Sequence, residues 1–420
     1  MKCENVGILP CDLLLPADHV DHEAWACVAC DQYTSQPEYW EESAAIVGEK
    51  PSCLKLVLPE CYLPETEARV PRIHAEMAKY VSDGTLRQKI TDGFILVERT
   101  TESGRRLGLV CVADLEQYDY TGKKCLIRPT EQTITARLPA RLTIRRDAPM
   151  ELSHIMLLMD DPMQSVIEPV YFKRSQLTAL YDFPLMQQGG HLRGWAITRE
   201  EDKAAILDAL CALKATLGPE PLLFAVGDGN HSLATAKARW EELKPTLTPD
   251  EQADHPARFA MVEVENIHDR ALKFEPIHRI VKGVDPNALM QDWLEYCLSR
   301  GMELNGRLAK NEQTLSVVYE GCEMMAVIAN PEGPLPVSTL QIYLDDFLAR
   351  HPEAEIDYIH GDDVLRQLVS TPDSIGFLLP PLEKSAFFQA VQTLGILPRK
   401  TFSMGHAHEK RFYMECRRIR

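Results

Sequence analysis

"LLFAVGDGNHSLATAKARWEELK" (residues 222–244) decides the reading of the fold. The apolar run Leu222-Leu223-Phe224-Ala225-Val226 predicts a buried strand. It runs into Gly227-Asp228-Gly229-Asn230-His231-Ser232, and an alanine-rich helix follows at once. The start of a helix carries unpaired N–H groups and a partial positive charge. Glycines there let backbone amides approach an anion closely. Strand, Gly-x-Gly, polar pair, helix therefore predicts a cradle for a phosphate or carboxylate. It is not a P-loop, because no Lys-Ser/Thr follows at the required spacing, and it lacks the third glycine of a dinucleotide fingerprint. In such a cradle Asp228 is a base, a metal ligand or a turn cap, and His231 is a phosphate contact or an acid. The plain alternative is a capped turn, with Asp228 and Ser232 bonding backbone amides.

Outward from this knot, helical and strand patterns mix along the whole chain. Val70, Ile73, Met77 and Val81 recur at spacings of three and four, predicting an amphipathic helix over 66–84. Residues 94–115 read as a hairpin turning at Glu102-Ser103-Gly104, and 314–329 as another turning at Glu320-Gly321-Cys322. Further helices are expected over 199–218, 286–301, 338–350 (with a serine cap) and 382–395, and strands over 258–267 and 374–380. The class is α+β or mixed α/β. The seam of a two-domain chain is placed at "VKGVDP" (281–286).

The totals bound the function. A chain of 420 residues, 45% hydrophobic, can bury a sizeable core. A formal net charge of −17, with no large basic block, excludes a duplex-binding surface and leaves only local anion sites. The tail Arg417-Arg418-Ile419-Arg420 reads as a solvated end. Twelve cysteines, scattered apart from Cys27-Val28-Ala29-Cys30, read as free thiols rather than a zinc or redox site. No leader-like segment and no membrane-length apolar run is seen, so a cytoplasmic protein without membrane or nucleic-acid partners is expected, acting on a small molecule.

The stretch around Asp228 resembles the box of the DUF1015 family, sometimes labelled ParB-like. So do "CDQYTSQPEYW" (30–40), "IRPTEQTITARLPARL" (127–142), "FEPIHRIV" (274–281) and "LPRKTFSMG" (397–405), in the family's order. The resemblance implies a ParB/sulfiredoxin-like core with insertions over residues 1–280 and a C-terminal mixed α/β domain over 281–420. That fold also hosts kinases of free L-serine. The implied activity is phosphoryl transfer to a small hydroxyl compound, from a nucleotide or pyrophosphate, with Mg²⁺. One departure is costly: Ser232 stands where the family has arginine, and Asn230 where it often has a first histidine. A guanidinium grips phosphate bidentately and a serine does not.

The resemblance assigns Asp228, His231, Glu131 and Asp31 as catalytic candidates, with Asp228 also the metal ligand. It assigns Gly227, Gly229, Asn230, Ser232, Arg128, His278, Arg279 and Lys400 to phosphate or substrate. Replacement cations are sought in Arg128, Arg137, Arg141, Arg279 and Lys400; if "TEQTITARLPARLTIRR" (130–146) is partly extended, alternate arginines share a face. Arg145 and Arg146 read as solvated, His154 as a satisfied core histidine, and His406 and His408 as part of a solvated loop. A regulatory protein that binds a phosphorylated ligand without turnover, and a hydrolase of a phosphorylated metabolite, are the alternatives.

Overall fold

The computed structural model describes residues 5–305, 311–370 and 373–420. The chain is α+β and divides into two compact units. One runs to Lys273 and takes back Gly405–Arg420; the other is Phe274–Met404. This differs from the expected division at 280/281. Phe274–Lys282 is one unbroken strand of the second unit's sheet, so no seam falls inside it. Residues 405–420 belong to the first unit because Cys416–Arg418 is one of its strands.

The first unit is built on a mixed, twelve-stranded sheet. Its path runs Ile127–Arg128, Phe224–Asp228, Met156–Met159, Phe259–Asn266, Gly104–Asp114, Leu86–Thr101, Cys11–Pro16, Cys416–Arg418, Met150–Leu152. The central strands are buried on both faces. Ile95 and Val97 enter one apolar cluster, while Phe94 and Leu96 enter the other. Val110 and Met261 likewise oppose Leu109 and Val262. Such strands read as continuous apolar runs rather than alternations, which is why "FILV" at 94–97 carries no period of two. The expected hairpin is present, as Leu86–Thr101 paired antiparallel with Gly104–Asp114.

Buried arginines hold the returning segment. Arg411 donates to Glu263 (2.5 Å), Glu415 (2.8 Å) and the Ser153 carbonyl. Arg417 reaches Glu151 at 2.9 Å. Arg99 and Arg106 donate to carbonyls of residues 408–410. Removing one partner from such a pair costs about 3–5 kcal/mol, because a buried charge is left uncompensated. Arg417 is thus buried, not part of a solvated end. Arg145 is also not solvated: it pairs with Glu151 at 2.6 Å.

The second unit has its own sheet, in the order Glu303–Leu304, Cys322–Ala329, Glu312–Tyr319, Ser374–Leu378, Phe274–Lys282, Glu355–His360, with Phe402–Met404 beside Phe274–Pro276. Trp293 packs edge-on against Phe377 at its core. The helix expected from Ser338 begins two residues earlier, at Pro336. Ser338 lies inside its first turn and accepts from the Leu335 amide.

Candidate functional site

The predicted strand, turn and helix are Phe224–Asp228, Gly229 and Asn230–Leu243. Gly229 has φ +76°, a left-handed conformation that non-glycine residues adopt only with strain. A Cβ there would sit 2.9 Å from the Ile155 Cα, so both conformation and space require glycine. Gly227 lies where the pairing with Met156–Met159 shifts register, between Val226 and Asp228. It serves a strand irregularity. Gly229 has no side chain to cap the helix, and the Asn230, His231 and Ser232 amides have no side-chain acceptor among the described residues. These amides and the helix dipole form an anion-accepting end. Asp228 accepts from the Gly229 amide (2.9 Å), but Ser232 does not complete the capped turn.

Ser232 instead contacts His154: its Oγ lies 3.2 Å from Nε2. The same Nε2 is 3.4 Å from Asp31 Oδ2. His154 Nδ1 is 2.7 Å from the Tyr413 hydroxyl, which donates to Cys30 Sγ at 3.1 Å. Burial alone would lower the His154 pKa, but the Asp31 carboxylate outweighs it and holds the ring well above its ordinary value. Burial would raise Asp31; the imidazolium beside it, helped by Gln32 and Lys410, holds it well below the usual range. The group is therefore an imidazolium–carboxylate pair, with both ring N–H groups donating. It is not a nucleophile triad, since serine and acid share one nitrogen.

Lys410 completes the cluster, with Nζ 3.3 Å from Asp228 Oδ2. Asp228 therefore has an ammonium as its countercharge. Among the described residues no group of three or more His, Cys, Asp or Glu is placed to hold a metal ion. Asp228, expected as a metal ligand, thus stands beside a cation and outside any such group. His406 and His408 form no metal site there either.

His231 is neutral. Burial, with Arg141 and Arg137 nearby, lowers its pKa to about 4. Its Nε2 accepts from the Ile134 amide at 3.2 Å. With Nε2 engaged by Ile134, the ring offers a ligand its one remaining N–H. Asn230 is spent on structure: its Oδ1 accepts from the Thr130 amide (3.3 Å) and its Nδ2 lies 3.4 Å from Thr130 Oγ1. The 130–134 segment is thus tied to the first turn at both ends. Glu131, within it, is half-buried.

Other candidates go elsewhere. Arg128 is buried and donates to the carbonyls of Cys125 and Glu220, both at 3.0 Å, so it braces the loop. His278, Arg279 and Lys400 belong to the second unit. His278 has both ring nitrogens bonded, to the Leu379 amide and Asp362. Every guanidinium nitrogen of buried Arg279 is used, on Gln341 and the carbonyls of Ile277, Arg399 and Lys400. The binding roles expected of His278 and Arg279 are corrected: their ring and guanidinium nitrogens are bonded within the second unit. Lys400 is exposed. The extended reading of the arginine-rich stretch is also replaced, because Leu138–Arg146 is helical.

His154 is the satisfied core histidine that was expected, but its place at this site was not; Lys410 and Tyr413 escaped the sequence reading. His154 sits in a three-residue gap between two strands and gave no periodic signal. Lys410 and Tyr413 arrive on the returning segment, which no local pattern assigns to this sheet.

The strand end and the helix start that follows it thus meet a buried imidazolium, two carboxylates and an ammonium. The chain belongs to the family described as "Protein of unknown function (DUF1015)", whose profile matches residues 9–350. Among solved structures, it is similar to free serine kinase in complex with AMP (13% identity, 74% of this chain and 92% of that one, TM-score 0.39). It is also similar to a conserved hypothetical protein from Pyrococcus furiosus (13%, 73% and 90%, TM-score 0.34). A third is SbnI with C-terminal truncation from Staphylococcus aureus (10%, 73% and 82%, TM-score 0.33). No curated protein matches the chain. Among the described residues no helix is long and apolar enough to cross a membrane.

Proposed function

We propose that the first unit is a kinase-like phosphotransferase site with a ParB/sulfiredoxin-like core, moving a phosphoryl group from a nucleotide or pyrophosphate to a small hydroxyl compound such as free L-serine. One observation carries this reading. The uncapped first turn of Asn230–Leu243 shares a cluster with two cations, His154 and Lys410, and two carboxylates, Asp31 and Asp228. Amides and cations receive the phosphate; a carboxylate orients the attacking hydroxyl. Asp31 is a weak base, which suits a loose transition state in which the hydroxyl proton leaves late. Glu131 is assigned beside it as a second acid on the tied segment. His231 contributes its single N–H.

A thermal-shift screen with ATP, ADP, AMP, pyrophosphate and phosphoserine, with and without Mg²⁺, tests the reading. A donor should raise Tm, and L-serine with that donor should yield phosphoserine. Asp31→Asn should keep donor binding and lose turnover. If no phosphorylated compound shifts Tm, the reading is wrong. Binding without product would favour the ligand-binding alternative, which the commitment of Asp31 to His154 supports.

A further inference from the structure

The tied segment carries two groups that its own fold does not use. Thr133 is buried, at 8% exposure, and its Oγ1 has no hydrogen-bond partner among the described residues. A buried hydroxyl without a partner is destabilising, so its persistence calls for an explanation. Four residues on, Arg137 is exposed, and its guanidinium has no acidic partner among the described residues. Its neighbour Arg141 is engaged by Glu60. Arg137 nevertheless lies close enough to His231 for its charge to help keep that ring neutral.

The same segment is fastened to the first turn through Thr130 on Asn230 and the Ile134 amide on His231. Thr133 lies between these two ties, and Arg137 follows one turn beyond them, near His231. Here the cluster's charges fall one short of an anion's requirement: Asp31 and Asp228 already neutralise His154 and Lys410. A bound phosphate needs a further cation, and a planar fork matches its oxygens.

We propose that Arg137 and Thr133 are the residues that take the phosphate of the ligand, Arg137 by its fork and Thr133 by its hydroxyl. The arginine that Ser232 cannot supply thus comes from the segment laid over the helix start. This rests on the phosphotransferase reading above and adds the residues that would confer its phosphate specificity.

The test uses the full chain, with ATP and pyrophosphate as probes, read by calorimetric titration and by Tm. Thr133→Val is nearly isosteric and removes the orphan hydroxyl. It should raise the Tm of the protein without added ligand yet weaken binding of whichever probe the wild type takes, about tenfold. Arg137→Met should leave Tm unchanged and weaken binding tenfold or more, and Arg137→Lys should recover only part. Wild-type binding that neither variant alters overturns this assignment and leaves the phosphotransferase reading standing. A Thr133→Val protein that melts lower and binds normally shows that the hydroxyl is structural, and overturns its role. Wild type that binds neither probe overturns the assignment and the reading together.

Discussion

Replacing His154 by Gln removes the charge that Asp31 depends on while keeping a side chain that can hydrogen-bond. The pair lies 3.4 Å apart, with 6% of the His154 side chain and 24% of the Asp31 side chain exposed. Orphaning a partner in a fully buried pair costs about 3–5 kcal/mol. With Asp31 partly open to solvent, a loss of about 2–4 kcal/mol is expected. A unit of this size unfolds with an entropy near ~0.6 kcal/mol per degree, so calorimetry should show Tm lower by about 3–7 °C. The pH dependence adds a second signature. His154 is raised above its ordinary 6.5, so its contribution is complete below pH 6.5 and fades as pH rises through the folded value. Asp31 is depressed below 3.8, so its contribution is present above pH 3.8 and fades as pH falls through the folded value. Both are full between pH 3.8 and 6.5. The gap between wild type and His154→Gln should therefore be widest near pH 6 and narrow toward alkaline pH. In a cycle with Asp31→Asn, the double variant should lose less than the sum of the single losses. Additive losses, or a gap that does not change with pH, would refute the ion pair.

Two further outcomes follow from the loop. Gly229→Ala combines φ +76° with a Cβ 2.9 Å from the Ile155 backbone, so urea unfolding should show at least about 1–2 kcal/mol lost; near-wild-type stability would contradict the geometry. His231 should remain neutral by NMR from pH 8 down to pH 5 and protonate near pH 4, a reluctance that lowers stability as pH falls below 6.5; a ring titrating near its ordinary value would contradict its burial beside Arg141 and Arg137.

Local pattern made much of this fold legible. The helix from Thr66, the two hairpins and the strand–glycine–helix knot all follow from spacing or turn chemistry that the structure bears out. The division into units was less legible because Phe274–Lys282 is as apolar across the expected seam as before it. At the site, Asp228, His231 and Asp31 were findable from the sequence, but their partners were not. The groups they meet lie far along the chain: Asp31 meets His154, 123 residues away, and Asp228 meets Lys410, 182 residues away. Arg279 shows the opposite error. Its place in a motif pointed to a ligand, whereas its guanidinium is consumed by carbonyls of its own unit.

The order of synthesis gives the returning segment a kinetic meaning. Cys416–Arg418 bridges Cys11–Pro16 and Met150–Leu152, yet it is translated only after the whole of Phe274–Met404. Until then the nascent first sheet has an unfilled slot between two strands, and both flanking edges can pair with the wrong chain. Closing that gap is a contact of very long sequence separation, which makes it a late and slow step on the ribosome's timescale.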